Sequence, residues 1–201
     1  EAAYADRAMD GVKFARDNLG LRFERQLAGT HVQAIEAQAY YNYVDHVMDN
    51  YSLRAFAPSM TMPFRSVSNP DRETTGGRFT ADLAFGERIT ATVGVDLQEN
   101  RHSLRSTMNE SMMPYEKMKR AEDGRFRNAG VFGELTLAAG PSGRVITGLR
   151  IDDWYAQDSR EMLRVGMTAV PNPTADEERN ATLFGGFGRY EHDLADGPFT
   201  V

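Results

Sequence analysis

The stretch Val32-Gln33-Ala34-Ile35-Glu36-Ala37-Gln38-Ala39-Tyr40-Tyr41-Asn42-Tyr43 decides the fold class. Side chains of an extended strand alternate between two faces. Ile35, Ala37, Ala39, Tyr41 and Tyr43 therefore share one side, and Glu36, Gln38, Tyr40 and Asn42 the other. The same rhythm recurs in both directions. Residues 78–85 set Phe79, Ala81, Leu83 and Phe85 against Arg78, Thr80 and Asp82, and residues 89–98 set Ile89, Ala91, Val93, Val95 and Leu97 against Thr90, Thr92, Asp96 and Gln98. Residues 129–137 follow suit with Val131, Leu135 and Leu137 opposite Glu134 and Thr136, Phe132 being the exception. Residues 144–152 place Val145, Thr147, Leu149 and Ile151 against Arg150 and Asp152, and weaker runs cover 14–25 and 182–193. A last strand is expected after Ala195-Asp196-Gly197-Pro198, giving about eight strands and an all-β fold.

The connections separate one all-β architecture from another. Short turns fall at 28–30, 86–87, 140–143 and 195–198; between them lie polar connections over roughly 49–70, 100–127 and 157–180. Connections beyond about 12–15 residues are uncommon in compact domains. Long and short connections in strict alternation imply two differently treated ends, as in outer-membrane barrels with short periplasmic turns and long extracellular loops. Tyr41, Tyr43 and Tyr155 fall near the long loops and Phe85 and Tyr190 near the short turns, as two interfacial girdles require. A soluble sandwich or lipocalin-like barrel shares the alternation but not the loop rhythm. An eight-stranded barrel ending at Val201 would leave an open edge in lipid, so residues 1–201 are expected to form an arc of a larger barrel.

Composition bounds the function. Among 201 residues, 41% are hydrophobic and 26% charged, with a mean hydropathy of −0.52. No run of about 18 uncharged apolar residues exists, which excludes a polytopic helical membrane protein but not a strand-built one. A net charge of −6 and a pI near 5.3 argue against a nucleic-acid partner. With no cysteine there is no disulfide or thiolate site. No convergent acid, base or nucleophile set points to an enzyme.

Methionine and histidine mark the candidate chemistry. Met48, Met60 and Met62 lie at or in the first long connection, Met108, Met112, Met113 and Met118 in the second, and Met162 and Met167 in the third. A thioether is a soft donor that favours Cu(I) over hard cations, so Met60, Met62, Met108, Met112 and Met113 are candidate auxiliary ligands; packing of a folded loop is the alternative use. In His46-Val47-Met48, counting parity from Glu36 puts His46 and Met48 together on the polar, lumen-facing side if the strand continues that far. An imidazole and a thioether on one face form a mixed N/S donor pair suited to copper. A hydrogen-bonded histidine beside a packing methionine is the bland alternative. His31, His102 and His192 read as solvated residues near turns or at a loop start. Lys117, Lys119, Arg120, Arg125 and Arg127 could meet anionic lipopolysaccharide, although Glu116, Glu122 and Asp123 among them also describe an ordinary solvated loop. Gly185-Gly186-Phe187-Gly188 precedes strand residues and is no phosphate loop.

The block from Tyr40 to Tyr51, the stretch Thr75-Gly76-Gly77-Arg78, Phe132-Gly133-Glu134-Leu135 and Arg189-Tyr190-Glu191-His192-Asp193-Leu194 together resemble the TonB-dependent copper receptors of Gram-negative outer membranes. The resemblance implies a barrel of about 22 strands filled by an N-terminal plug, with copper imported at the expense of energy passed through TonB. It also implies a His-x-Met pair, here His46 and Met48, joined by a Cys and a Met from the plug. The present residues contain neither plug nor cysteine, so half of that ligand set is expected elsewhere. A TonB-dependent receptor for a siderophore or other metal chelate, and a structural or adhesive barrel, are the alternatives. The partners expected are TonB, outer-membrane lipid and lipopolysaccharide.

Overall fold

In the computed structural model, which describes residues 8–29, 31–165 and 168–193, the chain forms one antiparallel sheet of seven long strands and a separate hairpin. The strands are β1 (Asp10–Gln26), β2 (Val32–Asp49), β3 (Val67–Phe85), β4 (Ile89–Thr107), β5 (Ala121–Ala138), β6 (Gly143–Asp158), β7 (Met162–Val165), β8 (Thr168–Pro171) and β9 (Glu178–His192). The sheet order β1-β2-β3-β4-β5-β6-β9 pairs each long strand with its neighbour in sequence, and β7 and β8 form the hairpin within the third long connection. The strand expected after Pro198 lies outside the described residues.

Short turns hold because glycine supplies the backbone geometry they need. Gly29, Gly86 and Gly140 adopt φ values of 79°, 73° and 87° in the β1–β2, β3–β4 and β5–β6 turns, a left-handed region that other residues enter only at a cost. The turn expected at 195–198 falls outside the described residues.

The long strands reach 15 to 19 residues, whereas about 9–11 suffice to cross a bilayer. Strand β3 therefore begins at Val67, not near Arg78, β4 runs to Thr107, and β5 starts at Ala121. The long connections shrink accordingly to 50–66, 108–120 and 159–177. The extensions are polar on both faces, so they carry no amphipathic signal and read as loop. They continue the ladder beyond the apolar zone.

One face carries Leu19, Leu21, Phe23, Tyr41, Phe79, Phe85, Val93, Val95, Leu97, Val131, Leu149, Ile151, Phe184 and Tyr190 exposed to the surroundings. Leu149 and Phe184 are 73% and 78% exposed, far too open for side chains that face water. Among the described residues the buried hydrophobics are only Ala34, Val47, Val67 and Ile146, so this wall holds no apolar core and its greasy face belongs against lipid. In the cross-strand row through Tyr41, the later strands already carry Glu99, Arg127 and Tyr155. On those strands the apolar band tops out lower, at Leu97, Ala129 and Ile151. That descent is what strands tilted against the membrane normal produce.

Phe132, the exception to the alternation, lies on the polar face. It stacks over Gly94, where a Cβ would collide with its ring, and the Arg78 guanidinium sits 4.6 Å above it. Beside it, Arg150 reaches across β5 to Asp96 at 2.8 Å and also pairs with Asp152. The polar face is thus a cross-braced ionic lattice, the lumen wall of a barrel.

Candidate metal centre

Strand β2 continues unbroken to Asp49, so alternation keeps His46 and Met48 on the lumen face with Tyr40 and Asn42. The ladder with β1 pairs Phe14 with His46 and, across a bulge between Gly11 and Lys13, Gly11 with Met48. The Phe14 ring stacks on the imidazole at 4.2 Å with the planes 24° apart. Gly11 makes this possible, since a Cβ there would stand 2.5 Å from the Phe14 ring and 3.3 Å from His46 Nε2. The nitrogen therefore lies beside Gly11, the register partner of Met48. It is buried and, among the described residues, has no hydrogen-bond partner.

An orphaned buried nitrogen costs free energy, and a metal ion is one group that would satisfy it. Burial also pushes the imidazole below its usual pKa, with the Asp45 charge opposing. The neutral form, which is the ligating one, is thereby favoured.

The opposite face holds this segment still. Asp45 points outward, above the apolar band, and accepts from Lys13 Nζ at 2.7 Å, Asn69 Nδ2 at 2.6 Å and Arg120 Nη2 at 3.2 Å. Asn69 is completely buried. Its Nδ2 also donates to the His46 carbonyl at 3.0 Å, while its Oδ1 accepts from Arg105 Nε and Arg120 Nη2, each at 2.7 Å. Arg120 further bonds Asp71 at 2.9 Å, and the Tyr43 hydroxyl donates to Asp71 at 2.9 Å. The peptide that carries His46 is thus pinned from outside while its side chain faces the lumen. Asp49 closes the strand by accepting from the Tyr51 and Ser52 amides.

The loop methionines divide. Met60, Met112 and Met113 are exposed, Met60 by 90%. Met62 and Met108 are half-buried, and the Met62 sulfur accepts from Asn50 Nδ2 at 3.9 Å. The two loops are tied together by Glu110 N donating to the Arg65 carbonyl and Ser66 Oγ to the Met108 carbonyl. Met48 and Met162 lie on strands, not in loops, and Met167 is outside the described residues. Among the described residues, no group of three or more His, Asp or Glu could hold a metal.

His102 departs from its expected place at a loop start. It lies within β4 on the lumen face, its ring tilted against Phe126 at 5.2 Å, beside a cavity of about 460 Å³ also lined by Asp123, Asp158, Arg160 and Arg179. His31 stacks on Phe85, and His192 stacks on Tyr190. The expected basic loop run also breaks up: Arg125 and Arg127 are strand residues, and Arg120 belongs to the Asn69 network. Sequence reasoning passed over Phe14, Gly11 and Asn69. One signal was available, because Phe14 is apolar at a β1 position whose face otherwise carries Arg16, Asn18, Arg22 and Glu24.

Comparison with known proteins bears on both fold and site. The family described as TonB dependent receptor-like, beta-barrel, matches residues 1–195. A solved structure described as "Copper transporter OprC" is similar at a TM-score of 0.89 and 43% identity, covering 98% of this chain and 31% of that one. The open form of the ferric-catecholate import receptor Fiu from E. coli K12 is similar at a TM-score of 0.51 and 13% identity, covering 90% of this chain and 33% of that one. At that identity the likeness is one of fold alone. No curated protein sequence matches. The chain spans about a third of the length of the solved receptors to which it is similar.

Proposed function

With this chain belonging to the TonB-dependent receptor β-barrel family, we propose that the receptor whose wall it forms takes up copper, and that His46 and Met48 supply two ligands at the lumen mouth. The barrel is an outer-membrane one, its apolar face in lipid and its ionic lattice toward the lumen. The observation that carries the reading is the buried His46 Nε2, without a hydrogen-bond partner among the described residues and beside Gly11, the register partner of Met48. The 43% identity to a protein described as a copper transporter supports the cargo. An N/S pair suits Cu(I), the softer state.

Two ligands do not complete a copper site, so the remaining donors come from outside these residues, as in a plug lying against the lumen wall. The exposed Met60, Met112 and Met113 serve as an outer collecting surface, and the half-buried Met62 and Met108 hold those loops in shape. Family membership implies coupling to TonB. The outward face meets outer-membrane lipid, with lipopolysaccharide on the polar strand extensions above the band.

The test is metal analysis of the whole receptor purified from copper-supplemented cells, beside a His46→Ala, Met48→Ala double variant. Loss of bound copper in the variant is expected. Equal copper in both would remove these residues from the site.

A further inference from the structure

Resting on the copper reading, we propose that Phe14 is a positioning and specificity residue that keeps the His46 donor dry and so favours Cu(I) over hydrated divalent ions. Three observations converge on this ring. It lies face to face with the imidazole at 4.2 Å. Stacked in this way it covers one side of an imidazole whose Nε2 is buried and, among the described residues, has no hydrogen-bond partner. Gly11, beneath the ring, has no side chain, and any Cβ there would stand 2.5 Å from the ring.

On a lumen face built of Arg16, Asn18, Arg22 and Glu24, an aromatic placed against the ligand is out of pattern. Hydrogen bonding cannot explain it, because a phenyl ring offers none. What it offers is exclusion of water from one side of the donor. The apolar shell around a metal site controls solvent access. A soft monovalent ion satisfied by nitrogen and sulfur gives up its water in such a place. Zn(II), which also accepts water and carboxylate oxygen, holds its hydration shell more tightly, and a phenyl ring offers no oxygen to replace the water it excludes. The hairpin bulge serves the same end, since the register shift between Gly11 and Lys13 brings the glycine opposite Met48 and leaves Phe14 opposite His46.

The experiment uses the full-length receptor, with folding confirmed by heat-modifiable gel mobility, and reads bound Cu(I) and Zn(II) after equilibration with defined mixtures of the two ions. Phe14→Ala and Gly11→Ala displace the same ring by different routes. Each should retain copper while its preference over Zn(II) falls about tenfold or more, the usual scale for groups that support a metal ligand. Phe14→Leu, which keeps an apolar cover, should hold the preference within about threefold of the parent. Unchanged preference in Phe14→Ala would overturn the assignment, as would an equal loss in Phe14→Leu. Should the His46→Ala, Met48→Ala receptor bind copper as the parent does, the underlying site fails instead, an outcome distinguishable because it does not depend on Phe14.

Discussion

Replacing Asn69 by leucine tests whether the outer network holds the segment that carries His46 in place. Leucine keeps the branched four-atom skeleton of asparagine, with methyls in place of the amide oxygen and nitrogen, so the change removes hydrogen bonds without opening a cavity. Four bonds are lost, to Asp45, the His46 carbonyl, Arg105 and Arg120. Three partners keep others: Asp45 retains Lys13 and Arg120, Arg120 retains Asp71, and Arg105 retains the Glu116 carbonyl at 3.1 Å and the Tyr115 ring. Those three losses cost roughly 0.5–1 kcal/mol each, and the His46 carbonyl loses the side-chain donor that pins it, at roughly 1 kcal/mol more. The total is about 3 kcal/mol. If opening of this corner is local, amide exchange across 44–49 and 67–71 should accelerate about 100-fold, at 1.4 kcal/mol per tenfold. Exchange on the intact receptor, read by mass spectrometry, measures this directly, and strand segments near the short turns serve as the internal control. An acceleration under about fivefold would refute the idea that Asn69 anchors the segment.

Other consequences of the structure are open to the same kind of check. Leu149→Arg, in the middle of the lipid-facing band, should destabilise the barrel by about 2–4 kcal/mol in a bilayer, read as a lowered denaturation midpoint, while Thr136→Arg on the lumen face should not. Gly86→Val forces a branched residue to φ 73° and should cost about 1–2 kcal/mol or more, visible as a lower yield of folded barrel. In the third loop, the Arg160 guanidinium, then Asn172, hold the Asp158 carboxyl far below the usual carboxylate range. Because the folded-state pKa is depressed, the stabilisation is complete above the unfolded pKa of about 3.9. It is lost only as pH falls below that. Protease resistance of the loop should therefore be flat between about pH 5 and 8, and Asp158→Asn should abolish it throughout.

The alternation in residues 32–43 was enough to establish strand, face and environment, because a period of two is a local property of an extended backbone. The rhythm of turns and loops added the two ends of a barrel. Parity alone placed His46 and Met48 on one face, and it needed only that β2 run on to Asp49. The strand extensions were invisible for a physical reason: above the lipid both faces are polar, and amphipathic contrast vanishes although the ladder continues. Tertiary structure alone disclosed the ring of Phe14 on His46, the gap left for it by Gly11 and the buried Asn69. Each depends on which residue of a neighbouring strand or a distant loop stands opposite, and cross-strand register, with a bulge in it, is a property of the paired sheet that no single strand carries.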